Sequence, residues 1–186
     1  MENMEMDPLN TQLKKSFVME DLEILQQYYE DMGLESELLP ASESVLLPSL
    51  VVVLHSDERK RPRILTNSFI PMSRDHAKFT KYLQFYVELK NTLEKLDPME
   101  LMKTLFWANG QLPMGCCVFY EEKENHPHRA VVCSTQGFPL TKPIDQGVFT
   151  EDVVLFDTSC EMVSTMLDLL EEGKTSAEVR QTMMRH

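Results

Sequence analysis

The chain has 186 residues, of which 30 are acidic and 18 basic, so its formal net charge is −12. This length suits one compact domain, residues 1–186 with a core over 17–173, and the 42% hydrophobic content suffices without disulfides or a structural metal. The negative charge disfavours nucleic acid and anionic membranes as partners and favours proteins.

The N-terminal segment gives no targeting signal. It carries Glu2, Glu5 and Asp7 and lacks the basic start and apolar stretch of a secretory signal. The most apolar run, residues 45–54, is broken by Pro48 and is about half the ~20 residues that span a bilayer. We therefore expect a cytoplasmic protein without a transmembrane helix.

The first predicted element is a helix over residues 17–32, where apolar residues recur at steps of four and three. Gly33 is expected to cap it in the left-handed conformation. Residues 35–44 have no period and are predicted to be a polar loop. Residues 1–43 carry eleven acidic and two basic side chains. This is either an ordinary charged helix face or a surface that steers basic partners.

Three strands are predicted next. Residues 50–55 and 63–70 read as a hairpin around a polar tip. Residues 82–89 alternate apolar and polar side chains, so period two predicts a strand there instead of a helix. The hairpin tip holds a basic cluster, expected to be a solvated turn, although an acidic partner or a phosphate backbone stays open. The cluster is Arg59, Lys60, Arg61 and Arg63.

Strong start signals predict a second helix. Asp97 is the expected N-cap, Pro98 occupies the first turn and Glu100 the third position, while Asn109 and Gly110 end the helix. A second hairpin, residues 114–122 and 129–134, follows around a polar turn.

The last long helix is predicted to begin at Thr150 as N-cap, with Glu151 and Asp152 at the positive end of its dipole. Its apolar stripe has steps of three and four, and Gly173 closes it. A short helix over 176–184 is expected to follow. The order αβββαββα plus a short C-terminal helix predicts an α+β fold with an antiparallel five-stranded sheet covered by helices.

This order in a small acidic chain resembles type III secretion chaperones and the related YbjN-like family over residues 17–173. Two local pieces carry the resemblance. Residues 109–115 end a helix in Asn and lead through Leu, Pro and Gly into the fourth strand, and residues 138–140, Phe-Pro-Leu, follow the fifth. The resemblance implies a bacterial cytosolic homodimer that binds another polypeptide and catalyses nothing. It also implies dimer contacts on the helix 97–109 and partner capture by sheet faces or strand edges.

The sequence offers little support for catalysis or metal binding. No nucleotide, zinc-protease, serine-hydrolase or calcium motif occurs, so we expect no catalytic residue, no metal and no cofactor. His126 and His128 near three glutamates would make at most a weak metal site. The four cysteines have no zinc-knuckle spacing and are expected to be buried free thiols. They are Cys116, Cys117, Cys133 and Cys160.

The second helix supplies the candidate dimer or partner surface. Trp is enriched at interface hot spots, and methionine, of which the chain has 13, suits surfaces that bind varied apolar peptides. The candidate residues are Leu101, Met102, Leu105, Phe106 and Trp107. We expect a homodimeric, non-catalytic protein-binding module that sequesters a polypeptide partner by strand addition or in an apolar groove. The alternatives are a small-molecule-sensing regulatory module with a cavity between sheet and helices, or an enzyme with an unrecognised site.

Overall fold

The computed structural model describes residues 8–42, 47–54, 63–70, 80–89, 91, 93, 96–120, 129–140 and 142–185. These residues form four helices and one six-stranded sheet, antiparallel throughout, with strand order β1-β2-β3-β4-β6-β5. The elements are α1 (Pro8–Asp31), β1 (Ser36–Leu39), β2 (Ser49–Leu54), β3 (Arg63–Ile70), β4 (Thr80–Leu89), α2 (Pro98–Ala108), β5 (Cys116–Tyr120), β6 (Arg129–Pro139), α3 (Gln146–Glu171) and α4 (Ser176–Met183). The predicted α+β class is confirmed, including the strand over residues 82–89.

The sheet has six strands where the sequence predicted five. Residues 36–39, expected to belong to a polar loop, form the edge strand β1, in which Leu38 pairs with Leu50 of β2. The Val53 amide also donates to the carbonyl of Glu35 at 3.0 Å. A four-residue strand is too short to show a period of its own, so the pairing with β2 decides its conformation.

Two helix starts differ from prediction. α1 begins at Pro8, nine residues before the predicted start. The prediction missed its first turns because their two leucines, Leu9 and Leu13, are too few to show a period of their own. α3 begins after the N-cap Asp145, whose side chain accepts a hydrogen bond from the amide of Val148 at 3.0 Å. The prediction of Thr150 as N-cap is therefore wrong, because Asp145 satisfies the free amides one turn earlier.

The helix ends follow the expected chemistry more closely. Gly33 has φ +74° and Gly173 has φ +85°, so both lie in the left-handed region favoured by glycine. The short helix α4 has a complete capping box between Thr175 and Glu178, which fixes its first turn.

The helices pack on one face of the sheet, where aromatic rings join α1, β4 and α3. Phe149 of α3 lies 5.1 Å from Tyr29 and 6.1 Å from Phe85, between ring centroids. Tyr29 donates a hydrogen bond to the side-chain oxygen of Asn67, so this buried hydroxyl has a partner. Burial raises the pKa of Tyr29 well above its ordinary value, and the hydroxyl stays neutral.

The other face of the sheet carries the alternate side chains of the same strands. Val51 of β2 pairs with Thr66 of β3, which pairs with Tyr86 of β4, so these residues form one row across the sheet. We call this the outer sheet face. Among the helices that the structure describes, none is both long and apolar enough to cross a membrane.

Candidate interaction surface

Helix α2 is held at both ends by side chains. The Asp97 carboxylate accepts hydrogen bonds from the amides of Met99 and Glu100, both at 2.9 Å, and Pro98 fills the first helical position. Asn109 is the C-cap. The predicted start and end signals are therefore confirmed, and the helix presents its side chains from a fixed backbone.

The two sides of α2 have opposite environments. Leu101 and Leu105 are buried, and α2 packs against α3 and α4. On the opposite side the exposed fractions are 63% for Met99, 59% for Met102 and 88% for Phe106. Steps of three and four residues place these three side chains in one line along the helix. We call Met99, Met102 and Phe106 the outer α2 stripe.

The five candidate residues thus separate into two groups. Leu101 and Leu105 belong to the hydrophobic core, and Met102 and Phe106 are exposed. Trp107 is half-buried, and the Arg180 guanidinium of α4 lies 6.0 Å from its ring centroid, a cation–π contact. The stripe also contains Met99, which is not among the five candidates although its spacing to Met102 and Phe106 in the sequence would have identified it.

Asn109 occupies the free edge of strand β5. Its side-chain oxygen accepts from the Cys117 amide at 2.7 Å, and its side-chain nitrogen donates to the Cys117 carbonyl at 3.0 Å. The amide side chain thus satisfies both backbone groups as a neighbouring strand would. A peptide that added to this edge at Cys117 would have to displace both hydrogen bonds.

Gly115 sets the entry into β5. Its φ is +81°, and a Cβ atom at this position would lie 2.5 Å from the carbonyl oxygen of Cys133. Only glycine fits this close approach without a backbone shift. Two residues of the segment 109–115 thus have structural roles: Asn109 binds the backbone of Cys117, and Gly115 permits the close approach to Cys133.

The prediction of four buried thiols is only partly right. Cys117 and Cys160 are buried, whereas Cys116 is exposed and Cys133 is half-buried. Cys116 and Cys133 point to the outer sheet face, where the described helices do not pack. Burial raises the pKa of Cys117 to about 12 and that of Cys133 to about 11.

The predicted basic and metal-binding segments fall mostly outside the described residues, which include neither residues 59–61 nor His126 and His128. Arg63, expected in a solvated turn, is instead 8% exposed and pairs with Asp157 of α3 at 2.6 Å. The prediction of a solvated turn is wrong for Arg63, because this residue begins β3 and its side chain lies on the face of the sheet that the helices cover. Within the described part of the chain, no group of three His, Cys, Asp or Glu side chains could hold a metal ion.

A cleft of about 530 Å³ lies between the start of α2, the end of α3 and the start of α4. A small-molecule sensor was expected to have its cavity between the sheet and the helices. This cleft lies elsewhere, because its lining residues belong to the helices and to the segments that connect them. The Glu100 carboxylate in this cleft accepts a hydrogen bond from the Ser176 amide at 2.6 Å and pairs with Lys103 at 2.9 Å. The lining residues are Leu96, Asp97, Glu100, Leu170, Glu171, Gly173, Lys174 and Thr175.

Glu100 should make stability depend on pH in the acid range. The hydrogen bond from the Ser176 amide, followed by the one from Lys103, lowers the pKa of Glu100 from 4.5 to about 2. A lowered pKa stabilises the fold fully above pH 4.5, and the contribution is lost as pH falls from 4.5 towards 2. We expect the unfolding temperature of Glu100→Gln to fall less over this window than that of the wild type, as thermal denaturation followed by circular dichroism would measure. An equal fall in both proteins would contradict the assignment.

Comparisons with known proteins bear on the fold alone. The sequence matches no family model, and no curated protein matches it. A solved structure with a similar fold is YbjN from E. coli, a candidate transcription regulator. The two chains are 13% identical, the alignment covers 82% of this chain and 93% of YbjN, and the TM-score is 0.47. The order of elements predicted this resemblance, and the comparison finds it.

Proposed function

We propose that this chain is a non-catalytic, cytoplasmic protein-binding module that dimerises through the outer α2 stripe and sequesters a polypeptide partner. The observation that carries the proposal is the exposure of Met99, Met102 and Phe106 in one line on a capped helix. Large apolar side chains that are grouped on a surface mark interaction sites, whereas scattered ones do not.

A second copy of the chain is the occupant that best fits the stripe. In a two-fold interface each patch meets itself, so an antiparallel pair of α2 helices would place Phe106 of one copy against Met99 of the other. The two Met102 side chains would then lie near the two-fold axis. Contacts between methionine sulfur and aromatic rings are favourable, which supports this self-complementary arrangement. Lys103, half-exposed and paired with Glu100, would belong to the polar rim.

The outer sheet face is the surface that we propose for the polypeptide partner. It carries half-buried Val51, Val53 and Tyr86 together with Ile64, which is 47% exposed. Strand addition at β5 is disfavoured at Cys117, where Asn109 already holds both backbone groups. The net charge of −12 favours a partner with basic character, because complementary charge accelerates encounter.

Light scattering tests the dimer. The chain mass is 21.6 kDa, and we expect twice this mass at micromolar concentrations. Phe106→Glu should give the monomer mass, because pairing would bury a carboxylate in an apolar contact. Ile24→Glu is the matched control, since it adds the same charge at an exposed position on α1 and should leave the dimer intact. A wild-type monomer, or a Phe106→Glu dimer, would refute this interface.

Affinity capture from the native host tests the partner surface. The wild type should retain a polypeptide at stoichiometric amounts, Ile64→Glu should lose it while remaining dimeric, and Ile24→Glu should keep it. Retention that is equal in all three proteins would contradict binding on the outer sheet face. A retained small molecule in place of a polypeptide would favour the sensor alternative.

A further inference from the structure

Two cysteines face each other across the edge of the sheet. Cys116 of β5 is the register partner of Cys133 of β6, and their sulfur atoms are 3.9 Å apart. Both side chains project from the outer sheet face, whereas the adjacent Cys117 projects into the core. The two cysteines are therefore directly opposite each other on neighbouring strands, their sulfur atoms are close, and both side chains lie on the same face of the sheet.

The backbone geometry at this pair brings the two residues within reach of a covalent link. The amide and carbonyl of Cys117 point away from β6, to Asn109. Backbone groups alternate in direction along an antiparallel strand, so those of Cys116 point towards β6 and Cys116 and Cys133 form a hydrogen-bonded pair. The Cα atoms of such pairs lie about 5.5 Å apart, within the range of disulfides. An S–S bond of ~2.0 Å requires the sulfur atoms, now 3.9 Å apart, to approach by about 1.9 Å. Because directly opposite Cβ atoms lie about 4.5–5.5 Å apart and a disulfide needs about 3.5–4.5 Å, the link requires rotation of both side chains and a small approach of β5 to β6.

The two thiols differ in access. Cys116 is exposed and can meet a dissolved oxidant, whereas Cys133 is half-buried in the row between Tyr86 and Cys116. Burial, followed by the neighbouring Cys116, keeps the pKa of Cys133 high, so its thiol is largely protonated at neutral pH. This difference assigns Cys116 as the thiol that is oxidised first and Cys133 as the one that resolves it.

We propose that Cys116 and Cys133 are a redox-modification site that peroxides convert into a cross-strand disulfide. With hydrogen peroxide as the oxidant, the Cys116 sulfur attacks one peroxide oxygen, the O–O bond breaks, and the leaving hydroxide takes the Cys116 proton, so that Cys116 sulfenic acid and one water form. The Cys133 sulfur then attacks the Cys116 sulfur, the S–OH bond breaks, and the hydroxyl leaves as water with the Cys133 proton. With hydrogen peroxide, two thiols and one peroxide give one disulfide and two waters.

The link would fix a strand at the edge of the sheet. Among the strands that the structure describes, β5 lies at the edge and pairs with β6 alone, and Asn109 holds its other side at Cys117. A bond between Cys116 and Cys133 would join the outer edge of the sheet covalently to its interior strands. Hydrogen exchange of the amides of β5 should slow on oxidation.

Hydrogen peroxide treatment followed by mass spectrometry tests the proposal. The purified full-length protein should lose two hydrogens in intact mass, and peptide mapping should find Cys116 linked to Cys133. A thiol reductant should restore the original mass. Cys117→Ala is the matched control, because it removes the neighbouring thiol and should still form the link.

The single variants separate the roles of the two thiols. Cys133→Ser should accumulate Cys116 sulfenic acid that a cyclic dione reagent traps, and Cys116→Ser should show neither the link nor the trapped acid at Cys133. The proposal is overturned if the wild type accumulates sulfinic acid at Cys116 without a link, if the link involves Cys117, or if both thiols survive treatment that oxidises a free exposed thiol.

Discussion

Phe149→Ala should lower the free energy of unfolding by about 4 kcal/mol, as expected for the removal of a fully buried aromatic side chain. Phe149 is 0% exposed and its ring contacts Tyr28, Tyr29 and Phe85, so its loss leaves a cavity where α1, the sheet and α3 meet. Urea denaturation followed by fluorescence and circular dichroism would measure the change.

Val148→Ala is the control for that experiment. Val148 precedes Phe149 on α3 but is half-exposed, so its truncation should change the free energy of unfolding by less than about 0.5 kcal/mol. Similar losses in the two variants would mean that the first turn of α3 does not dock as described, and the N-cap role of Asp145 would fail with it.

Asp157→Ala should lower the free energy of unfolding by about 3 kcal/mol, because it leaves the charge of Arg63 buried without a partner. The Arg63 side chain is 8% exposed, and its Nε and Nη2 atoms both donate to one Asp157 oxygen, at 3.0 and 2.6 Å. The double variant Arg63→Met with Asp157→Leu should recover most of the loss, since replacing both partners removes the buried charge. Urea denaturation of the wild type, Asp157→Ala and the double variant would measure the loss and its recovery.

An exposed ion pair of the same sheet provides the comparison. Arg129 and Glu88 lie 3.0 Å apart on the outer sheet face, and both side chains are about two-fifths exposed. Glu88→Ala should therefore cost less than about 1 kcal/mol. If Asp157→Ala cost no more than Glu88→Ala, burial would not be what makes the Arg63 pair important.

Local pattern predicted the elements whose signals lie within a few residues. The alternation over residues 82–89 and the Asp97, Pro98 and Glu100 start of α2 both appear in the structure as predicted. β1 could not be predicted in this way, because its pairing with β2 supplies what four residues cannot. The start of α3 was misplaced because Asp145 and Thr150 are both good N-cap residues, and burial of Phe149 inside the helix distinguishes them.

In the candidate surface, too, local sequence patterns predicted one part and tertiary packing decided the rest. Helical spacing identified α2, but both of its sides are apolar, with Leu101 and Leu105 on one and Met102 and Phe106 on the other. Which side faces solvent depends on how α2 docks against α3 and α4, and no residue of α2 encodes that alone. The environment of Cys116 and Cys133 has a similar origin, since only the tertiary arrangement places the helices that the structure describes on the opposite face of the sheet.

The most direct test of the central claim is a photo-crosslink from the middle of the outer α2 stripe. With a photoreactive amino acid in place of Met102, illumination at a concentration where the protein is dimeric should give a covalent dimer in which α2 of one copy is joined to α2 of the other. If the protein is dimeric but position 102 crosslinks to the sheet or to α1 of the other copy, and not to α2, pairing through this stripe would be contradicted.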